Sequence, residues 1–124
     1  MSNRVLVVDD SVSMRQMTGL ILKGAGFEPV EAGDGQEALE KLTDDTVLVI
    51  TDFNMPRMNG VELIKAIRGG SVAKTVPILM ITTESEDTKK QQGREAGATA
   101  WIVKPFTKEQ LLATLNKIVS TLTF

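Results

Sequence analysis

Short β-branched runs and longer stretches of helical periodicity alternate along the chain. Val5-Leu6-Val7-Val8 is apolar without a break and stops at Asp9-Asp10, the pattern of a strand buried on both faces. From Val12 to Lys23, Met14, Met17 and Ile21 recur at helical spacing, and Gly24 and Gly26 close the stretch. Phe27 to Ala32 reads as a second strand, and Gly35 to Leu42 as a helix with Ala38, Leu39 and Leu42 on one face. Val47 to Thr51 is a third strand, stopped by Asp52. A helix is expected over Asn59 to Ile67, with Asn59 as its N-cap. Pro77 to Ile81 gives a fourth strand ending at Thr82-Thr83. A polar helix follows over Ser85 to Glu95, with Gly97 just past its end. Ala100 to Val103 is a fifth strand, ending at Lys104-Pro105, and Thr107 to Thr121 a last helix striped by Leu111, Leu112, Leu115 and Ile118. Gly69 to Thr75 is a loop, and no repeat or low-complexity tract interrupts the pattern.

Five apolar strands alternating with five helices predict an α/β fold, a doubly wound five-stranded parallel sheet with helices on both faces. A length of 124 residues fits one core, so residues 1–124 are expected to be a single domain with no output domain. In such sheets ligands bind beyond the carboxyl ends of the strands. The strand-ending residues therefore belong together: Asp9 and Asp10, Asp52, Thr82 and Lys104.

Composition narrows the chemistry. With no cysteine and no histidine, thiolate and imidazole chemistry is excluded, leaving oxygen donors. The net charge of −2 offers no basic excess for nucleic acid or an anionic membrane surface. The apolar runs are too short to cross a bilayer and the N-terminus has no signal-peptide pattern, so a cytoplasmic protein is expected. Three carboxylates converging at one edge repel one another unless a cation sits among them. Oxygen ligands alone select a hard ion, Mg²⁺ first, with Mn²⁺ or Ca²⁺ behind it. A carboxylate beside such an ion can act as a nucleophile toward phosphorus. Lys104 offers a compact positive charge and Thr82 a hydroxyl for phosphoryl oxygens. Taken singly, each residue has an ordinary role as a turn, cap or solvated side chain. Their convergence at one sheet edge is what points to phosphoryl transfer.

Three stretches, Val5-Leu6-Val7-Val8-Asp9-Asp10-Ser11, Thr51 to Gly60 and Val103-Lys104-Pro105-Phe106, resemble the signatures of bacterial response-regulator receivers. The resemblance covers essentially the whole chain. Asn54-Met55-Pro56 and Met80-Ile81-Thr82-Thr83-Glu84 make it most similar to the stand-alone chemotaxis regulators of that family. It implies a flavodoxin-like strand order 2-1-3-4-5. It also implies that Asp52 takes a phosphoryl group from the phosphohistidine of a sensor histidine kinase. By the same resemblance Asp10 and Asp52 ligate Mg²⁺, Asn54 gives its backbone carbonyl, and Asp9 acts through a coordinated water. Lys104 pairs with a phosphoryl oxygen, and the Lys104-Pro105 bond is cis. Thr82 and Trp101 are the switch pair, and Asn54 and Glu84 tune dephosphorylation.

The implied partners are the kinase and either a flagellar motor switch protein or a phosphatase, read by a monomer that controls flagellar rotation. Self-catalysed phosphoryl gain and loss is the only chemistry expected, so the chain is not an enzyme acting on a separate substrate. Two departures stand out. The switch position usually carries Tyr or Phe and here has the larger Trp101, while Thr83 replaces a small residue and narrows access to Asp52. Lys89, Lys90 and Arg94 give the fourth helix a basic face suited to an acidic partner peptide, and Gly93 weakens that helix by about 1 kcal/mol relative to Ala. Among rivals, a flavin carrier lacks its phosphate loop after the first strand, where Asp9-Asp10 would repel phosphate. An aspartyl phosphohydrolase commonly has a second Asp two residues after the nucleophile, where Asn54 stands. A metal-free scaffold has no use for the full acidic set. A phosphate sink for the kinase remains the main alternative to motor output.

Overall fold

The computed structural model describes residues 3–83 and 87–122. Strands β1 (Arg4–Val8), β2 (Glu28–Ala32), β3 (Thr46–Asp52), β4 (Ile78–Thr82) and β5 (Ala100–Val103) alternate with helices α1 (Val12–Gly24), α2 (Gly35–Lys41), α3 (Gly60–Gly69), α4 (Asp87–Ala96) and α5 (Lys108–Leu122). The strands form one parallel sheet in the order β2-β1-β3-β4-β5. The strand order reverses direction next to β1, so β1 and β3 lie side by side and their C-terminal ends open the crevice where such folds bind ligands.

Each strand points successive side chains to opposite faces, which divides the core in two. Leu6 and Val8 of β1, Val49 of β3, and Ile78 and Met80 of β4 pack with Ala38, Leu63, Ile64, Ile67 and Ala96 from α2, α3 and α4, and with Leu42, the C-cap of α2. Val5 and Val7, Leu48 and Ile50, and Leu79 and Ile81 face the other way, onto Leu22 of α1 and Leu111, Leu115 and Ile118 of α5. Both faces are covered, which accounts for the unbroken apolar runs. Among the described residues no helix is long and apolar enough to cross a membrane.

The helix ends follow local chemistry. Ser11, Asp34 and Asn59 cap α1, α2 and α3, and Asn59 and Glu62 form a reciprocal capping box. Thr107 and Gln110 make the same reciprocal pair before α5. Gly97, past the end of α4, has φ +114, a conformation that favours glycine.

Two details differ from the periodicity. In α1 the face against the sheet is Thr18, Gly19 and Leu22, whereas Met17 is 40% exposed and Met14 and Ile21 are half-buried. Small residues there let α1 approach β2, with Pro29 in van der Waals contact with the position a Gly19 side chain would take. In α4, Gly93 is a packing site as well as a weak helix former. A Cβ there would lie 2.4 Å from the methyl carbon of buried Met80.

Gly60 is the glycine on which the site depends. A Cβ on it would lie 2.4 Å from the Asp52 carbonyl oxygen and 3.1 Å from the Phe53 Cα. Both neighbours are backbone and cannot step aside. Gly60→Ala is therefore expected to destabilise the domain by about 1–3 kcal/mol in urea unfolding. Gly24→Ala, with nothing within 4 Å, serves as the control. Its stability should stay level or rise by up to about 1 kcal/mol.

Candidate functional site

Three backbone segments meet at the C-terminal edge of the sheet. Asp9 follows β1, and its amide donates to the Ala32 carbonyl at 3.1 Å. Its Oδ1 accepts from the Ser11 amide at 2.9 Å, a tight turn that fixes the carboxylate just before α1 begins. Asp52 is the last residue of β3, in register with Ile81 of β4. The next amide, Phe53 N, donates to the Ile81 carbonyl at 2.7 Å, so the backbone is held on both sides of Asp52. Lys104 leaves β5 with its amide on the Thr82 carbonyl at 2.8 Å, and the Lys104-Pro105 peptide bond is cis.

These segments bring the predicted charges together. One carboxylate oxygen each from Asp9, Asp10 and Asp52 lies within 4.8 Å of the others. The Lys104 ammonium reaches over them, 3.2 Å from Asp9 Oδ2 and 3.4 Å from Asp52 Oδ1. Asp9 and Asp52 are buried and Asp10 is exposed, so the cluster has a solvent side. Burial pushes the Asp52 carboxyl above the ordinary carboxylate range, the nearby Asp9 charge adds to this, and Lys104 opposes it. Three acidic groups and one ammonium leave unbalanced negative charge, and all the donors are hard oxygens. The residues present fit a divalent cation such as Mg²⁺.

Thr82 ends β4 one residue beyond the register partner of Asp52 and is fully buried. Asn54 is exposed in the loop after β3. With Asp10, Met55, Pro56 and Asn59 it lines an open groove of about 420 Å³. Thr83 is exposed at the end of β4. Glu84 lies outside the described residues. Trp101, half-buried on β5, has its ring against the cations of α4. The Lys90 ammonium and the Arg94 guanidinium lie 5.4 and 5.2 Å from its ring centre. Lys89 of the same helix sits 5.2 Å from the ring of Phe53, the residue after Asp52.

The family model of the response regulator receiver domain matches residues 5–116. The chain belongs to the response-regulator receiver family. It is 45% identical over 121 residues to the chemotaxis protein CheY1 of Helicobacter pylori, covering 95% of this chain and 98% of that protein. It is 32% identical over 120 residues to the phosphate regulon regulator PhoB of Escherichia coli, of which the match spans 52%. Among solved structures, Vibrio cholerae CheY4 superposes with a TM-score of 0.87 at 48% identity, covering 94% of this chain and 98% of that one. This receiver is CheY-like in sequence and in fold.

Sequence reasoning missed Arg15. Its Nη1 donates to the Asp9 carbonyl at 2.7 Å and its Nε pairs with Glu31 at 3.3 Å, bracing the acidic turn from α1. Its place one helical turn past Ser11 is the available signal, but a polar residue on a helix carries no periodic signature of its partner. Arg57 was also missed. It pairs with Asp34 at 3.0 Å across two loops that the sequence gives no reason to join.

A carboxyl raised by folding makes the native state hold its proton to higher pH than the unfolded chain does. Stability is then lost as pH rises through the raised value. Without divalent metal, Asp52→Asn is expected to unfold at higher temperature than wild type at pH 7. The difference should shrink as pH falls into the ordinary carboxylate range. Thermal scans from pH 4 to 8 with a chelator present check this, and a difference that does not vary with pH would contradict it.

Proposed function

We propose that the receiver accepts a phosphoryl group on Asp52 from a sensor histidine kinase and hands the signal to a chemotaxis partner in the cytoplasm. The observation that carries this reading is the clustering of Asp9, Asp10 and Asp52 beneath the Lys104 ammonium at the sheet edge. In this reading an Asp52 carboxylate oxygen bonds to phosphorus while the bond from phosphorus to the donor imidazole nitrogen breaks. The imidazole keeps the electron pair. Asp10, Asp52 and the Asn54 carbonyl would hold Mg²⁺, with Asp9 acting through water, and the ion would neutralise charge on the incoming phosphoryl oxygens. Lys104, now shared between Asp9 and Asp52, turns its ammonium to a phosphoryl oxygen. The Thr82 hydroxyl donates to another. Asn54 and Glu84 tune the later loss of the group to water. The receiver changes only itself and turns over no separate substrate.

Output follows from added charge. A phosphoryl group brings roughly −1.5 to −2 of charge and new acceptors, and Thr82 is drawn toward it. The movement passes to Trp101 and so to α4, β5 and α5, the surface a motor switch protein would read. The cations of α4 over Trp101 and Phe53 support this route, since a shift of either ring changes what α4 presents. Likeness to chemotaxis proteins supports a chemotaxis role, within which motor output and a phosphate sink are the two readings.

Trp101 is the only tryptophan, so its fluorescence reports on the site. It is expected to change on adding Mg²⁺ and again with beryllofluoride, and the second change should be absent in Asp52→Asn. Lys104→Ala should slow phosphorylation by a small phosphodonor about a hundredfold, the usual loss when one charge-stabilising donor is removed. Stoichiometric phosphorylation of Asp52→Asn would overturn the assignment. Capture by a flagellar switch protein should rise with the mimic, and equal capture in both states would leave the phosphate sink.

A further inference from the structure

The loop between β3 and α3 contains a strained turn with an external tether. Met58 N donates to the Pro56 carbonyl at 2.7 Å, closing a three-residue γ-turn around Arg57. Arg57 has φ 68, in the region that residues with a side chain rarely occupy. Left alone, such a turn tends to open. Two contacts hold it, both to the start of α2. The Arg57 guanidinium donates from Nη2 to Asp34 Oδ2 at 3.0 Å. Met58 lies over Gly35, so close that a Cβ there would be 2.5 Å from its sulfur. Asp34 is itself fixed, because its Oδ1 accepts from the Glu37 amide at 2.8 Å and caps α2. Asp34, Gly35, Glu37, Arg57 and Met58 line a cavity of about 570 Å³ between the two loops.

The same loop carries Asn54 and ends at the Gly60 contact on the Asp52 backbone. We propose that Arg57 is a positioning residue: its ion pair with Asp34 keeps the γ-turn closed and so fixes the Asn54 backbone carbonyl at the acidic cluster. This rests on the reading of Asn54 as a metal ligand. Arg57 is 80% exposed while Asp34 is mostly covered, so the pair is screened by salt and its effect is modest, a few-fold in affinity.

Three single variants separate charge, tether and strain. Asp34→Asn loses the charge but keeps a good N-cap. Arg57→Ala loses the tether and leaves a side chain at positive φ. Arg57→Gly loses the tether and relieves the strain. Mg²⁺ is titrated into each variant and read by backbone amide NMR shifts, with urea unfolding as the check on folding. The dissociation constant is expected to rise about threefold in Asp34→Asn and Arg57→Ala, the size of a good exposed ion pair. The double variant should be no worse than either alone. Arg57→Gly should return close to wild type, and about 0.5 M salt should bring wild type down to the tetherless variants. Unchanged affinity in all variants overturns the proposal. So does tighter binding in all of them, which would make Arg57 only a repelling charge, and so does an equal loss in Arg57→Gly and Arg57→Ala. A wild-type protein that shows no Mg²⁺ response at all would instead remove the metal reading on which the proposal stands.

Discussion

The organisation of this receiver depends on forcing like charges together at the end of a parallel sheet. Asp9 and Asp52 are buried side by side at the ends of adjacent strands, with Asp10 next to them. Folding alone does not favour this, since burial and the Asp9 charge both work against ionised Asp52. The sheet enforces it through backbone geometry that no side chain can relax. Lys104, brought from β5 by a bond to the Thr82 carbonyl, offsets part of the repulsion but cannot balance three carboxylates. The remaining negative charge is a stored preference for cations, and it explains why a site so costly to fold is useful only when something binds.

Around that cluster the packing is arranged to prevent escape. Gly60 lets α3 start against the Asp52 carbonyl, so the helix abuts the strand end. Arg15 reaches from α1 to the Asp9 carbonyl, and Ser11 donates its amide to the Asp9 carboxylate. On the far side of the sheet edge, Asp34 and Arg57 join the loops after β2 and β3. None of these contacts is strong alone; the first three hold the backbone or carboxylate of Asp9 and Asp52, and the last holds the loop that follows Asp52.

Much of this is legible in the sequence. Strand runs such as Val5 to Val8 report burial on both faces directly, and each ends in a residue whose chemistry differs sharply from the run. That contrast located Asp9, Asp10, Asp52, Thr82 and Lys104. The helix faces were harder. In α1 large apolar residues suggested the stripe of Met14, Met17 and Ile21, yet the buried face uses Thr18 and Gly19 because close approach to β2 demands small side chains. Gly93 was legible as a weak point in α4, but its contact with Met80 joins residues from separate elements and has no local signature. The same holds for Arg57 and Asp34, 23 positions apart and joined only by the fold. Periodicity reports which side of an element is buried; it does not report how close two backbones come.

Helix α4 touches both ends of the proposed route from site to surface. Lys89 lies over Phe53, the residue after Asp52, while Lys90 and Arg94 lie over Trp101. Gly93 seats the helix on Met80, the register partner of Trp101. Among the described residues of this polar helix, the apolar contacts to the core are Ala96 and the seat at Gly93. Its cations over two rings therefore carry an unusual share of its placement, and such contacts are each worth only about 0.5–1 kcal/mol at exposed positions. An element held that weakly can be re-aimed by a change of a few kcal/mol at the site. The larger indole at position 101 fits this arrangement, because it gives both cations a face to rest on. In the proposed reading, Trp101 at the switch position and the two cations over its ring act as one unit.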